Sequence, residues 1–362
     1  MREGIIMATL KNGWREQRRF CVSTLKNFGV GKKTLEKRVC EEAWYLCSEF
    51  KSKEVGDRFE YHDKTFLKLI YLSEEILKGI TRITPQIVVA GTWFSYIPGP
   101  HQKIKKHYDD FSVIIKKFVK EHKQTRDPTF SRDLIDAFLA EIEKAKGNLE
   151  TSFNEENLIH ILFDLLEAGT ETTSSTLLWG LLKMVLRPEV QIHEEIDTVI
   201  GRVQSPTMED QSKLPYTSAV IHEIQRWSDI APLSPPYITC RDTEVGKFVI
   251  LKDTIILNNV SSVLKDETMW EKPHEFYPEH FLDANGQFIK REAFLPFSAG
   301  RRACPGEQLA RMQLFIFFTS LLQHFTFCVP ENLIQDSSHT WIGFSTAQIF
   351  VGSKTGAISK IL

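Results

Sequence analysis

The stretch from Asn154 to Arg187 contains no proline and stops against Pro188. Asn154 is a good helix N-cap, and Glu155 and Glu156 put negative charge in the first turn, where the helix dipole favours it. A continuous helix of about 34 residues would run about 50 Å, enough to cross a whole domain. The rest of the chain has to be arranged along it.

Helical periodicity dominates the first two thirds. It predicts a basic helix over 12–28 and further helices over 33–50, 64–81, 101–123 and 131–146. The fourth follows a Pro98-Gly99-Pro100 break, and the fifth stops at Gly147-Asn148. Two more helices follow the long one, over 188–200 and 216–227. From Pro232 prolines cluster, and β-branched runs at 245–251 and 254–258 read as a small β-region. Residues 294–306 form an irregular loop, 307–325 an apolar helix, and 327–362 short strands and turns. The fold class is mainly α with a minor β region, one domain by continuity.

With 362 residues, 42% of them apolar, there is material for a sizeable core. A net charge of −2 argues against a nucleic-acid binder. The six cysteines make no CxxC pair, which sets aside a zinc ribbon or a thioredoxin-like site. Residues 1–10 read as too short and broken for a signal peptide or anchor, and no run reaches the ~18 apolar residues of a membrane span.

The strongest chemical signal is Phe297-Ser-Ala-Gly300-Arg-Arg302-Ala-Cys304-Pro-Gly306. A cysteine just before a helix is stabilised as thiolate by free backbone N–H groups and the dipole. The glycines let the backbone approach something flat, Arg302 can neutralise carboxylates, and Phe297 can cover a large aromatic ligand. A thiolate so held is the proximal ligand of an oxygen-activating haem. A lone cysteine in such a turn is ordinarily a buried structural thiol; the ten-residue combination is what outweighs that reading.

Residues 297–306 match the Phe-x-x-Gly-x-Arg-x-Cys-x-Gly signature, and the chain resembles the cytochromes P450. Three further motifs follow the family's order. Ala168-Gly169-Thr170-Glu171-Thr172-Thr173, midway along the long helix, resembles its oxygen-activation motif, with Gly169 a place where the helix can loosen. Glu223-Ile-Gln-Arg226 matches its Glu-x-x-Arg, with Pro278-Glu279-His280-Phe281 standing where the family has Pro-Glu-Arg-Phe. Trp14-x-x-x-Arg18 matches a pair the family places on a haem propionate; the plain alternative is a Trp packed under an Arg stem. The segment from Trp14 to Lys33 and the run 138–147 look like the microsomal family 2 enzymes, closest to subfamily D, with J-like features in the long helix.

The resemblance implies a cytochrome P450 fold and a haem-thiolate monooxygenase inserting one atom of dioxygen into lipophilic small molecules (xenobiotics, fatty acids or steroids). It implies Cys304 as axial iron ligand, and Thr172 and Glu171 for oxygen activation and proton delivery. Haem contacts fall to Trp14, Arg18, Ala168, Gly169, Phe297, Arg302 and Gly306, with Glu223, Arg226 and His280 structural. Substrate contacts are expected from Asp164, Leu165, Ala231, Leu233 and Phe344. In subfamily D-like enzymes an acid at the position of Asp164 pairs with a basic substrate nitrogen; equally, Asp164 could cap backbone amides of a neighbouring loop. Electrons would come from NADPH–cytochrome P450 reductase, with cytochrome b5 as a further donor, docking on Arg15, Arg19, Lys32 and Lys33. The implied location is the endoplasmic reticulum membrane, or the cytoplasm with at most peripheral membrane contact for a form without an anchor.

Measured against the family, the chain reads as lacking the anchor, early strands and helices A and B. Near Glu54-Val55 two segments nearly abut where the family carries helix E, which reads as deleted. Tyr237 stands where a basic residue usually meets the second propionate. The rival readings are a non-catalytic haem-binding remnant and an all-α interaction protein without cofactor.

Overall fold

The computed structural model describes residues 4–6, 8, 12–51, 63–90, 99–148, 150–187, 190, 192–328, 350–353 and 358–360. Among these lie the helices α1 (Asn12–Asn27), α2 (Lys33–Lys51), α3 (Lys64–Ala90), α4 (Pro100–Thr125), α5 (Leu134–Lys144), α6 (Glu155–Leu186), α7 (Ile192–Val199), α8 (Pro215–Ser228), α9 (Val260–Leu264) and α10 (Glu307–His324). The strands are β1 (Tyr237–Ile238), β2 (Thr243–Val245), β3 (Phe248–Ile250), β4 (Ile255–Ile256), β5 (Phe325–Cys328), β6 (Phe350–Ser353) and β7 (Ile358–Lys360). The architecture is mainly α with small antiparallel sheets. It forms two compact units, residues 1–25 with 54–171 and residues 26–53 with 172–362, divided within α6.

In the first unit, Leu69, Leu72 and Ile76 of α3 and Phe111, Ile115 and Val119 of α4 form three- and four-residue stripes, each one face of a helix. They pack with Phe138 and Leu139 of α5, Leu158 and Ile161 of α6, and Cys21. Asn154 opens α6 as its composition demands: its Oδ1 accepts the Asn157 amide at 2.8 Å. α5 begins three residues later than periodicity predicts, because Asp133 takes the cap, accepting the Asp136 amide at 3.0 Å. α1 is tied down through Glu16, which accepts the Ser152 amide at 2.8 Å, and Gln17, which donates to the Ser152 carbonyl at 2.7 Å. α3 runs on past residue 81 to Ala90, through Pro85, where a missing amide donor made an earlier stop the natural expectation.

The second unit is built round α10. Met312, Leu314, Phe315, Ile316, Phe318, Leu321 and Leu322 bury every side of it, against Val220, Ile221 and Ile224 of α8, Ile192 and Ile196 of α7 and Val39 of α2. Such an all-round apolar helix belongs at the centre of a body. β1 pairs with β4, β2 with β3, and β5, β6 and β7 form a three-stranded sheet, all antiparallel. Within the run 245–251, Gly246 at φ +59° turns the chain so that Val245 pairs with Phe248. α7 starts at Ile192 rather than at Pro188. Glu54, Val55, Pro188 and Phe344 lie outside the described residues.

Candidate functional site

Cys304 sits in the loop that leads into α10, two residues before the helix's N-cap at Gly306. The loop is closed by its own backbone. The Cys304 amide donates to the Phe297 carbonyl at 2.9 Å, Ala303 to Gly300 at 3.1 Å, and Ser298 to Leu295 at 3.0 Å. Gly300 at φ +74° supplies a conformation that side chains resist, and Ser298 takes the same left-handed region at φ +61° despite its Cβ. The result presents Cys304 exposed. Arg302 lays its guanidinium 5.3 Å from the centre of the Tyr237 ring on β1. The other thiols differ. Cys21 is buried, and that burial pushes it up to about 12; Cys47 is buried; Cys40 is partly buried with its thiol raised by burial and donates to the Pro206 carbonyl. Cys240 is exposed but lies past β1, with no helix behind it.

Behind this loop the chain from α9 to residue 281 is fixed by Glu223 and Arg226, neighbours one turn apart on α8 and both fully buried. Arg226 grips Glu223 with Nε and Nη2, each at 2.7 Å, and gives its remaining donors to the carbonyls of Leu264, Pro273 and Glu275. Glu223 also accepts the Tyr277 amide at 2.8 Å. His280 Nε2 accepts the Lys272 amide, so its proton sits on Nδ1, 3.3 Å from Glu223 Oε2. His280 thus occupies the place of the family's arginine with a single, longer contact.

The middle of α6 is continuously helical through Gly169. Ala168, Gly169, Thr170 and Thr172 are exposed and Glu171 is partly buried; a Cβ added at Gly169 would meet no described atom within 4 Å. Thr176 Oγ1 donates to the Thr172 carbonyl at 2.8 Å. Burial pushes the Glu167 carboxyl up to about 7, with the charges of Glu171 and Glu74 adding to the effect. Asp164 is buried and accepts the amides of Ile5 and Ile6 at 2.7 and 3.0 Å; burial raises its carboxyl to about 6 against those two hydrogen bonds. This is the amide-capping arrangement. Leu165 packs against the first unit's core.

The Trp14 indole N–H donates to the Ile5 carbonyl at 3.0 Å, and the Arg18 guanidinium carbon lies 5.5 Å from the centre of its ring. Ala231 and Leu233 are exposed, Leu233 bridging Asn259.

Residues 54–349 match the family Cytochrome P450. The chain belongs to the cytochrome P450 family. Its cofactor is haem held through a cysteine thiolate, and its chemistry is monooxygenation. Among curated relatives, the chain is 50% identical to "Cytochrome P450 2D14" of Bos taurus over 367 residues, covering 94% of this chain and 73% of that protein. It is 50% identical to "Cytochrome P450 2D6" of Homo sapiens, with 94% and 74% covered, and 48% identical to "Cytochrome P450 2D1" of Rattus norvegicus, with 96% and 74% covered. These relatives place it with the microsomal P450 family 2, subfamily D.

The residues present suit the haem of a cytochrome P450. The second unit offers an exposed thiol in a loop shaped by glycine, with a guanidinium close by in sequence. Sequence reasoning missed two residues near the P450 loop. Arg311 stacks on Phe297 with 5.1 Å to the ring centre, and His222 accepts from Arg311 at 3.0 Å. Arg311 was legible only as the i,i+4 partner of Glu307; its contact with α8 joins residues 89 apart.

Proposed function

We propose that this P450 chain is a haem-thiolate monooxygenase acting on lipophilic small molecules, with Cys304 as the iron's axial ligand. The observation that carries the reading is the exposed Cys304 at the start of α10, its amide held by the Phe297 carbonyl. Haem would supply dioxygen binding and reductive oxygen activation. The chain's own residues do the rest. Gly306 stands beside the Cys304 sulfur, 3.9 Å from where its Cβ would be. Phe297 would cover one face of the haem, and Trp14, Arg18 and Arg302 would meet its carboxylates. The Thr172 hydroxyl orients and donates a proton, and Glu171 resupplies it. Ala168 and Gly169 leave space for a small ligand.

Substrate contacts fall to Leu165, Ala231, Leu233 and Phe344. Asp164 acts on the substrate indirectly, by fixing residues 5 and 6 through their amides, and the amine preference loses its simplest support. Exposed Arg15, Arg19 and Lys32 suit an acidic electron donor such as NADPH–cytochrome P450 reductase or cytochrome b5; Lys33 is already engaged by Glu209 at 2.5 Å. A microsomal, endoplasmic reticulum setting with xenobiotic or lipid substrates follows from the resemblance. Among the described residues no helix is long and apolar enough to cross a membrane.

We read the chain as one P450 domain with helix E deleted near Glu54. Its support is that the aligned relatives extend over 367 and 372 residues while only 94% and 96% of this 362-residue chain takes part. The deciding test is the absorption spectrum of the reduced, CO-treated protein. A thiolate-type band supports the reading, and haem-free protein after expression with excess haem overturns it. A thiolate band without NADPH turnover would favour the non-catalytic remnant.

A further inference from the structure

We infer that Arg311 and His222 act as a positioning pair for the Cys304 loop, Arg311 holding the Phe297 ring and His222 holding Arg311. The inference rests on the reading of Cys304 as the haem ligand and assigns a role to two residues outside the signature.

Arg311 is on the second turn of α10 and is held from several directions. Its Nε donates to Glu307 Oε1 at 3.0 Å and its Nη2 lies 2.9 Å from the same oxygen. Its Nη1 donates to His222 Nε2 at 3.0 Å. Its guanidinium carbon lies over the Phe297 ring, 5.1 Å from the ring centre, and 5.7 Å from that of Phe294. A guanidinium fixed at its edges by hydrogen bonds can press its face on a ring without rotating away, which an ammonium on a flexible stem cannot do. Phe297 in turn accepts the Cys304 amide at 2.9 Å through its carbonyl. One residue therefore joins the guanidinium to the backbone of the cysteine.

His222 is suited to only one role in this set. Its Nδ1 faces the Ser218 carbonyl at 2.7 Å, which can only accept, so the proton is on Nδ1. Nε2 faces an arginine N–H, which can only donate, so Nε2 is the acceptor and the ring is neutral. The ring packs among Phe281, Phe288 and Phe294 at 5.5, 4.6 and 5.0 Å. That burial, with the positive charges of Arg311 and Lys290, pushes it down to about 4, so it stays an acceptor at neutral pH. A phenylalanine would fill the same aromatic nest; the imidazole adds a fixed acceptor aimed at Arg311.

The test uses holoprotein with Arg311→Lys, His222→Phe and His222→Gln, the last restoring an acceptor. Two quantities are read: the melting temperature, and the rate at which the thiolate-type CO complex converts to the form lacking thiolate ligation. Arg311→Lys and His222→Phe should melt close to the parent yet convert about tenfold faster, the effect of losing one hydrogen bond to a charged group. His222→Gln should recover most of the parent rate. Conversion at the parent rate in both loss variants overturns the pair. So does unfolding of both, which would make them core elements only. A parent protein that binds haem but gives no thiolate band overturns the Cys304 reading itself, and is distinguished by being seen before any variant is made.

Discussion

Glu223 and Arg226 meet as a bidentate ion pair with two 2.7 Å contacts and no exposure to solvent. Burying two charges is costly unless every donor and acceptor is used. Arg226 meets that condition by reaching three carbonyls beyond Glu223, and the pair so holds the chain between α9 and residue 281 in one conformation.

Breaking it should be expensive. Arg226→Ala leaves a buried carboxylate and three carbonyls unserved, and a loss of about 3–5 kcal/mol is expected. Arg226→Lys should cost nearly as much, because one ammonium cannot serve a carboxylate and three separate oxygens. Denaturant titration measures both. A lysine variant within about 1 kcal/mol of the parent would show that the geometry is not used for stability.

Asp164 should make the fold less stable as pH rises. Its carboxyl is raised to about 6 by burial, from an ordinary 3.8, so its contribution is full below about 3.8 and is lost as pH passes through 6. Asp164→Asn keeps an acceptor for the amides of Ile5 and Ile6 but cannot ionise. At pH 7.5 it should exceed the parent by about 3 kcal/mol, and the two should converge near pH 4. Parallel stability curves from pH 4 to 7.5 would mean that Asp164 titrates like an exposed acid.

Only Cys304 should be needed for thiolate ligation. Cys304→Ser removes the thiolate-type CO band, while replacing Cys21, Cys40, Cys47, Cys240 or Cys328 singly leaves it. Buried Cys21 and Cys47 give a different loss: Cys→Ser there puts a hydroxyl in an apolar site and should cost about 1–3 kcal/mol without changing the band shape. A band that depends on any of the other five contradicts the assignment.

The sequence made the helical elements and the Cys304 loop legible because both are local. Stripes such as Leu69, Leu72 and Ile76, and caps such as Asn154, are decided within a turn or two. The loop's glycines, arginine and cysteine likewise fall within ten residues. What escaped was long-range or two-sided. The hairpin inside 245–251 depends on Gly246 adopting a positive φ, which a β-branched run conceals. The Trp14 indole donates to the Ile5 carbonyl, an acceptor no pattern announces. The Asp164 carboxylate likewise accepts amides more than 150 positions away in sequence, those of Ile5 and Ile6.

Gly169 offers a separation of folding from function. It lies inside a continuous helix at a negative φ, where glycine is less favourable than alanine by about 1 kcal/mol. An added methyl would meet no described atom within 4 Å, so nothing in the fold calls for glycine there. Packing and propensity alone therefore make Gly169→Ala stabilising, by about 0.5–1 kcal/mol in the haem-free protein. On the proposed haem reading, the space left at the exposed residues 168–170 is for a small ligand. In haem-loaded protein the methyl should weaken CO binding severalfold and leave the thiolate band at Cys304 in place. Both measurements are needed. Higher stability with weaker CO binding identifies Gly169 as lining the ligand space. Higher stability with unchanged CO affinity would move that space to another part of α6.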